Sequence, residues 1–335
     1  MLYERLGSSE LSISKLSLGT WVTFGYQLDV EAAYPIFKRA YELGINFFDC
    51  AETYAQGKAE QLLGQVFRKG EAEGIWSRED LILSTKIFFG STAKPSRTAQ
   101  GLSRKHIVEG TRASLRRLGL EHVDLLYAHR PDPATPIEET VRAFGHCVEQ
   151  GMAHYWGTSE WEAAQIAEAC RIADRLGLPR PTMEQPQYNM FHRKPVEQEY
   201  APFFTGADGW RLGLTTWSPL YSGVLSGKYS GGRVPEDSRL SIERYSFLKE
   251  RAFADSGRVL DAVDRLTPIA EQLGCSLSQL AIAWCAANPN VSSVILGASK
   301  MKQLEENVHA LEVVPKLSAE VRRRIDQVIT PELQQ

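Results

Sequence analysis

The chain has 335 residues, of which 43% are apolar and 24% charged, and its formal net charge is −3. This composition is ordinary for a globular protein with a large core, and the lack of a dense Lys/Arg block argues against nucleic acid binding. Length alone would allow two domains, but α/β barrels reach this size as one.

The five cysteines are scattered and form no CxxC pair. We therefore expect neither a disulfide framework nor a structural zinc, and the reducing cytosol fits best. The N-terminal residues carry neither a basic nor an apolar leader, so we expect no signal peptide. No apolar run reaches the roughly 18 residues that span a bilayer, so we expect a cytoplasmic protein without direct membrane insertion.

The predicted elements begin with LYERL and LSISK, which pair as a hairpin around GSSE. Eight apolar runs are predicted strands, at residues 16–20, 45–49, 81–86, 123–129, 153–159, 182–185, 212–218 and 292–297. Helical spacing of apolar residues predicts helices at 30–43, 58–69, 104–118, 137–150, 161–176, 194–205, 254–273, 276–287, 300–310 and 317–329. The stretch 219–250, rich in Gly, Ser and Arg, is predicted to be an irregular flap.

Each predicted strand is followed by a predicted helix, and no Pro/Gly linker divides the series. This order predicts one α/β domain over residues 1–335: a closed (β/α)8 TIM barrel with an N-terminal β-hairpin and a long loop after strand 7. The alternative is an open, doubly wound sheet. It is disfavoured because no GxGxxG follows the first strand.

Most of the predicted strands end in a polar residue. The residues at these ends are Thr20, Asp49, Lys86, His129, Ser159, Gln185, Ser218 and Gly297, and Tyr54 lies in the turn after the second strand. In a parallel barrel these ends share one rim, where catalytic groups gather. Each alone has a simpler reading, an Asp as a helix N-cap or a Lys as a solvated group. Together the ionisable groups resemble an acid–base site.

The four ionisable groups suit proton donation to a carbonyl. Tyrosine is a poor acid at neutral pH, and an ammonium from Lys86 would lower the pKa of Tyr54. Asp49 would keep Lys86 charged and oriented, and His129 could bind a substrate oxygen or share the proton. The hydride for such a reduction must come from a cofactor, since no side chain supplies one.

Eight strings run in order along almost the whole chain: GTWVTFG (19–25), GINFFDCAETYAQGKAEQLLG (44–64), STKIFFG (84–90), GLSRKHIVEGTRASLRRLGLEHVDLLYAHRPD (101–132), YWGTSEW (155–161), EQPQYNMF (184–191), TTWSPLYSGVLSGKY (215–229) and QLAIAWCAANPNVSSVILGASKMKQLEENV (279–308). In these strings the sequence resembles the aldo-keto reductases. Within that family it is similar to the branch of the voltage-gated potassium channel β subunits and their plant-type relatives.

The resemblance implies NADPH-dependent reduction of aldehydes or ketones, with Asp49, Tyr54, Lys86 and His129 as the catalytic residues and Tyr54 as the acid. It implies NADP(H) contacts from Thr20, Trp21, Asp49, Ser159, Gln185, Trp217, Ser218, Pro219, Leu220, Gly223, Lys228, Arg239, Gly297, Ser299, Gln303, Glu306 and Asn307. Ser159 and Gln185 match the residues that hold the nicotinamide carboxamide, and 217–228 match the pyrophosphate segment. Arg239 matches the flap arginine, and 297–307 match the adenosine end.

The residues GASK at 297–300 also point to a phosphate on their own. They open a predicted helix, whose N-terminal N–H groups and dipole favour an anion. Lys300 adds a cation near a 2′-phosphate, which favours NADPH over NADH. The simpler alternative is that Ser299 is only an N-cap.

Two departures, at three positions, distinguish the chain from the animal channel subunits that it resembles. His129 stands where those subunits carry Asn, which favours a working reductase. Tyr221 and Ser222 replace a small residue and a cysteine beside the pyrophosphate, which puts a redox-sensing thiol in doubt.

The resemblance leaves a second function open, that of an auxiliary subunit of a potassium channel that uses NADP(H) as a regulatory ligand. It also suggests a homotetramer. Because Met1 lies almost at the hairpin, we expect no long pore-blocking extension. The substrate mouth is expected to include Trp21, Tyr26, Phe88, Phe89 and Arg130, which suggests aldehydes or quinones. A third reading, a phosphate-binding isomerase with Glu184 as base, would leave the Tyr/Lys/Asp group unused.

Overall fold

The structure is a computed structural model that describes residues 1–205, 210–236, 238–243, 246–253, 257–330 and 333, with the side chains of Arg239, Arg251 and Ala252 left out. Its strands are β1 Tyr3–Arg5, β2 Ser12–Ser14, β3 Leu16–Gly19, β4 Phe47–Asp49, β5 Ile82–Ile87, β6 Val123–Ala128, β7 Ala153–Thr158, β8 Met183–Glu184, β9 Gly213–Thr216 and β10 Val291–Leu296. Its α-helices are α1 Val30–Glu42, α2 Lys58–Ala72, α3 Arg104–Leu118, α4 Ile137–Glu149, α5 Ala163–Leu176, α6 Ala201–Phe204, α7 Ser246–Phe253, α8 Arg258–Leu273, α9 Leu277–Ala286, α10 Met301–Val308 and α11 Ala319–Val328.

Strands β3 to β10 form a closed barrel in chain order, with β10 pairing to both β3 and β9. Every pair in the barrel is parallel. The predicted (β/α)8 barrel is therefore confirmed, and the doubly wound alternative is wrong. Because the strands are parallel, all their carboxyl ends lie on one rim.

The hairpin β1–β2 covers the other end of the barrel. Leu6 and Ile13 are fully buried and pack with the inward-facing core residues Phe47, Ile82, Leu125, Tyr127, Met183 and Ile295. At Gly7 the chain turns with φ of +60°, and a Cβ there would lie 2.5 Å from the Thr182 carbonyl oxygen. Only glycine permits this approach. The hairpin thus closes the amino end and leaves the carboxyl end of the barrel open.

The helices begin and end where the sequence provides caps. The Asp29 carboxylate accepts from the Ala32 N–H at the start of α1, and α3 ends at Gly119 with φ of +68°. Ser276 and Gln279 cap α9 reciprocally. These contacts satisfy backbone groups that have no partner within the helix. Among the described helices, none has both the length and the apolar character that a membrane crossing would need.

Two predicted segments differ from the structure. The predicted helix at 194–205 is a π-helical turn, Pro195–Glu199, followed by the short α6. Pro202 has no N–H to continue an α-helix through this point. The described part of the stretch predicted to be irregular, 219–250, contains the short 3₁₀ segments Tyr221–Ser226, Ser230–Gly232 and Arg239–Ser241 and the start of α7. In α7 Leu248 is buried without an apolar stripe around it, so periodicity gave no signal.

Candidate active site

The open rim brings together the four ionisable residues that the sequence singled out. Asp49 is the last residue of β4, Lys86 lies in β5, and His129 directly follows β6. Tyr54 begins a 3₁₀ turn after β4. Side chains alternate between the two faces of a strand, and Asp49, Lys86 and His129 are at positions that face the barrel interior. They therefore converge at the carboxyl end of the barrel.

Lys86 is the centre of this group. Its ammonium donates to Asp49 Oδ2 at 2.5 Å, to the Cys50 carbonyl oxygen at 2.8 Å and to the Tyr54 hydroxyl at 3.1 Å. Three donors is the full capacity of an ammonium. The Lys86 side chain is fully buried. Its position is therefore fixed by partners on all three N–H bonds.

Asp49 is held from its other side. Its Oδ1 accepts from the Ser84 hydroxyl at 2.7 Å and from Gln185 Nε2 at 3.0 Å. Both carboxylate oxygens are thus hydrogen-bonded, as a buried carboxylate requires. Gln185 therefore orients Asp49 in the structure, besides the role that the resemblance implies for it.

The protonation states follow from burial and charge. Burial works against the charged form of Lys86, but the charges and hydrogen bonds of Asp49 and Tyr54 together outweigh it, and the pKa of Lys86 is raised. Burial also raises the pKa of Tyr54, and the ammonium of Lys86 offsets only part of that rise. The lowering effect of the ammonium that the sequence interpretation expected is present, but that interpretation left out burial, which outweighs it. At neutral pH Tyr54 keeps its proton and can donate it.

His129 is neutral at physiological pH. Burial, together with the positive charges of Lys86 and Arg130, holds the pKa of His129 well below its ordinary value. Its ring lies edge-on to that of Tyr54, with centroids 5.8 Å apart. Its buried Nδ1 has no hydrogen-bond partner among the described residues. A neutral imidazole here can bind a substrate oxygen but does not supply a proton.

A cavity of about 540 Å³ opens above these residues, a size typical of ligand sites. Of the residues proposed from the sequence, it is lined by Trp21, Asp49, Tyr54, His129, Ser159, Gln185, Trp217, Ser218, Pro219, Leu220, Gly223, Lys228, Gly297, Ser299, Gln303, Glu306 and Asn307. Thr20 and Lys86 are fully buried behind its wall. Lys300 is exposed beside it, and the Arg239 side chain lies outside the described part of the chain.

The substrate mouth differs in part from the expectation. Phe89 and Arg130 line the cavity, whereas Tyr26 and Phe88 do not. The cavity also includes Val22, Thr23, Gln27, Thr53, Ser226 and Ser278, which the sequence analysis did not single out. These residues lie on turns and on α9, where no strand end marked them.

Trp217 is held in place by a residue that the sequence analysis also missed. Its indole N–H donates to Glu160 Oε1 at 2.9 Å, and its ring meets Trp21 edge-on at 6.2 Å. Glu160 adopts φ of +59°, which is costly for a residue other than glycine. The string TSEW gave one signal for it, an acidic residue directly after a strand end.

The segment after β9 forms a strained turn along the cavity. Ser218, Tyr221 and Ser222 have φ of 58°, 46° and 57°, a region that residues other than glycine rarely adopt. At Gly223 a Cβ would lie 3.1 Å from Lys228 Nζ, so the missing side chain leaves room for the ammonium. Backbone strain of this kind persists where the surroundings require it and is common at ligand sites. The turn and its ammonium fit an anionic group such as a pyrophosphate.

The N-terminus of α10 is capped by Gln303. Its Oε1 accepts from the backbone N–H groups of Ser299 and Lys300 at 2.9 and 3.2 Å. The N-cap residue is Lys300, so the reading of Ser299 as the N-cap is wrong. The N–H groups expected to be free for a phosphate are occupied here by an amide oxygen. The same donors become available to an anion if the Gln303 side chain rotates away.

Glu184, the base required by the isomerase reading, does not line the cavity. It is fully buried, and its Oε2 accepts from the Thr158 hydroxyl at 2.5 Å. Burial, with the nearby Glu160, raises the pKa of Glu184 to about 8. Met183 and Gln185, the residues before and after Glu184, face the barrel interior. Because side chains alternate along a strand, Glu184 faces the surrounding helices.

Comparisons with known proteins agree with this geometry. The sequence profile of the Aldo/keto reductase family matches residues 15–330. A protein of Arabidopsis thaliana named "Probable voltage-gated potassium channel subunit beta" is 54% identical over 329 residues, which cover 98% of this chain and 97% of that protein. A protein of the same name from Oryza sativa subsp. japonica is 52% identical over 329 residues, which again cover 98% of this chain and 97% of that protein. The chain therefore belongs to the aldo/keto reductase family.

Proposed function

We propose that the protein reduces aldehydes and ketones with NADPH and that Tyr54 is the general acid. The observation that carries the proposal is the buried hydrogen-bonded series from Asp49 through Lys86 to Tyr54 at the base of the cavity. It places a phenol that is protonated at neutral pH beside a fixed ammonium. No simpler structural role requires three ionisable groups at this point.

NADPH, when bound, supplies the hydride that reaches the carbonyl carbon. Tyr54 donates its proton to the carbonyl oxygen as negative charge develops there. Lys86 stabilises the phenolate that remains, and Asp49 keeps Lys86 charged. His129, being neutral, holds the carbonyl oxygen by a hydrogen bond. The products are an alcohol and NADP⁺, so hydride and proton are both accounted for.

The proposed dinucleotide path runs along the cavity wall. Ser159 and Gln185 would hold the carboxamide. The Ser159 hydroxyl donates to the backbone carbonyl oxygen of Gln185 at 2.8 Å. The flat face of Trp217, oriented by Glu160, would stack on the nicotinamide. Lys228 would face the pyrophosphate, and the α10 N-terminus with Lys300 would take the 2′-phosphate. Arg239 is proposed to cross the bound dinucleotide, on the family resemblance alone.

The expected substrate is a small carbonyl compound with an aromatic or quinonoid body. Trp21 and Phe89 present apolar rings to the cavity, and Arg130 lies 5.9 Å from the Phe89 ring. The Arg130 guanidinium donates to the Ser159 hydroxyl at 3.2 Å, so it joins the substrate side to the proposed carboxamide site. We further propose that the barrel acts as one domain and works in the cytoplasm.

The test is a panel of aldehydes, ketones and quinones, assayed by NADPH oxidation with wild type and Tyr54→Phe. The variant keeps the ring and removes the acid, so turnover should fall about 10²–10⁴-fold. Its affinity for NADPH, measured by fluorescence titration, should stay unchanged. Equal turnover in the two proteins would show that Tyr54 is not the acid.

A second candidate function comes from the names of the two relatives, which call them probable channel subunits. We propose that this protein also binds the cytoplasmic part of a potassium channel, as a homotetramer, and is thereby held at the membrane. Light scattering tests the tetramer, and a stable monomer would contradict it. Co-purification with a plant channel's cytoplasmic domain tests the partner, with Tyr54→Phe as a folded control that should bind equally.

A further inference from the structure

Three potential metal ligands meet at the closed end of the barrel, away from the cavity. His122 directly precedes β6, Asp124 lies in β6, and His154 lies in the neighbouring β7. One ligand atom from each lies within 4.8 Å of the other two. Val123 pairs with Ala153 in the sheet, which brings the two imidazoles side by side. The sequence analysis, which looked for cysteine pairs, did not single them out.

The spacing is close to that of a coordination sphere. Ligands at 2.0–2.1 Å from a tetrahedral Zn²⁺ lie about 3.4 Å apart, so the three atoms need to approach by about 1.4 Å at most. The rings of His122 and His154 already meet with centroids 4.4 Å apart. His154 is exposed and His122 half-buried, so rotation of the imidazoles can close the gap without moving the strands.

The third ligand is already oriented. Asp124 is buried, and its Oδ2 accepts from Arg78 at 2.7 Å and from the Leu83 N–H at 2.8 Å. Both bonds reach the same oxygen, and Oδ1 has no hydrogen bond from the described residues. Carboxylate ligands are commonly fixed in this way by outer hydrogen bonds. Oδ1 is therefore the ligand atom that the site offers.

The ring nitrogens of both imidazoles are available as ligands. Within the described chain, the ring nitrogens of His122 and His154 make no hydrogen bonds. Arg78 opposes a nearby cation, but its charge is paired with Asp124 Oδ2.

We propose that His122, Asp124 and His154 bind one Zn²⁺ ion that joins the first residues of β6 and β7. Two imidazoles and a carboxylate suit Zn²⁺, whereas Mg²⁺ and Ca²⁺ prefer oxygen ligands alone. Water completes the tetrahedron. His129 lies five positions after Asp124, about 16 Å along the strand, so the ion acts on stability and not on carbonyl reduction.

Untagged protein, freed of metal with EDTA and dialysed, tests the proposal by zinc titration against a chromophoric chelator. Wild type should bind one Zn²⁺ per chain, and His122→Gln and His154→Gln should each bind it at least about tenfold more weakly. The control is His309→Gln, which removes an exposed imidazole beside Glu312 that has no third ligand among the described residues. It should bind as wild type does.

Thermal unfolding gives a second readout. Zn²⁺ should raise the melting temperature of wild type and of the His309→Gln control but not of the two site variants. NADPH oxidation should be the same with and without the ion, so this result is independent of the proposed reductase activity. Circular dichroism before the titration confirms that the variants fold. Substoichiometric binding, or equal binding by His154→Gln, would show an adventitious ion only and overturn the proposal.

Discussion

The Tyr54 hydroxyl lies 3.1 Å from the Lys86 ammonium, which in turn lies 2.5 Å from the Asp49 carboxylate. Burial raises the pKa of Tyr54 most, Lys86 lowers it and Asp49 raises it. The acidity of this phenol is thus set by its burial and by two neighbours that act in opposite directions. With Tyr54 as the proposed acid, we expect turnover to be lost as the pH rises through its pKa, so the alkaline limb of kcat should report these effects.

We expect Lys86→Met to move the alkaline limb of kcat to higher pH, because the charge that favours the phenolate is gone. At neutral pH the weaker acid should lower kcat about 10²-fold or more. The measurement is kcat against pH with a saturating carbonyl substrate. Removing one partner of a buried ion pair costs about 3–5 kcal/mol, so the free energy of unfolding is measured alongside.

The matched variant is Asp49→Asn, which keeps the shape of the side chain and removes its charge. Because Asp49 raises the pKa of Tyr54 directly and also keeps Lys86 charged, its loss has two opposing effects on Tyr54. We therefore expect the alkaline limb of Asp49→Asn to lie at lower pH than that of Lys86→Met, in which the Asp49 charge remains without the ammonium. An alkaline limb of Asp49→Asn at the same or higher pH than that of Lys86→Met would contradict the assignment of Tyr54 as the titrating acid.

His129→Asn should retain turnover within about tenfold of wild type, because Asn replaces a neutral hydrogen-bonding group by another. His129→Leu, which cannot hydrogen-bond, should lose about 10²-fold in kcat/KM. The pH profile of wild type should show no inflection near pH 6.5 that arises from His129, since the pKa of His129 lies well below that value. The measurement is kcat/KM from pH 5 to 9. An inflection near pH 6.5 in wild type that disappears in His129→Asn would show that the imidazole titrates during turnover.

Lys300→Gln should weaken NADPH binding about tenfold and leave NADH binding unchanged, because the two cofactors differ only in the 2′-phosphate that the ammonium would face. Fluorescence titration with both cofactors measures this difference. Lys105→Gln, an exposed lysine in α3 away from the cavity, is the control. Equal losses for NADPH and NADH would place Lys300 outside the phosphate site.

Much of the fold and the position of the site could be predicted because both depend on local pattern. Apolar periodicity located the barrel strands, and the rim followed from their parallel order. The convergence of Asp49, Lys86 and His129 needed only the rule that parallel strand ends share one edge. Even the hairpin was visible as two alternating runs around GSSE.

The remainder depends on side-chain positions that no local pattern encodes. Burial outweighs the Lys86 ammonium at Tyr54, and burial is a property of the whole fold. The capping of α10 by Gln303 and the support of Trp217 by Glu160 are rotamer choices made by tertiary packing. Among the described side chains of helix α7, Leu248 is buried, Phe253 is half-buried and the others are exposed, a pattern without a clear amphipathic period.

Two helical glycines should respond to alanine with opposite signs. At Gly64 in α2 a Cβ would lie 2.0 Å from the Leu118 carbonyl oxygen, so Gly64→Ala should lower the free energy of unfolding by about 1–3 kcal/mol. At Gly145 in α4 the nearest contact would be Leu178 Cδ2 at 3.5 Å. Gly145→Ala should therefore raise the free energy of unfolding by about 0.5–1 kcal/mol. Urea denaturation measures both, and equal signs would refute the close α2–α3 packing.

The last prediction concerns Glu184, whose pKa of about 8 in the folded protein lies above its ordinary value of 4.5. Below pH 4.5 the carboxyl is protonated in both states and has no effect on stability. Between these values the folded state holds a proton that the unfolded state has released, so stability falls as the pH rises. Above pH 8 the full cost of the buried charge is present.

Glu184→Gln removes this ionisation and keeps the side-chain shape. Between pH 5 and pH 9, its free energy of unfolding relative to wild type should therefore increase up to about pH 8 and then level off, reaching the order of a few kcal/mol. Urea denaturation at unit steps of pH measures the difference, with Glu149→Gln, an exposed position at the end of α4, as the control. A difference independent of pH would mean that Glu184 does not titrate in this range, and that its carboxyl is stabilised in one protonation state throughout.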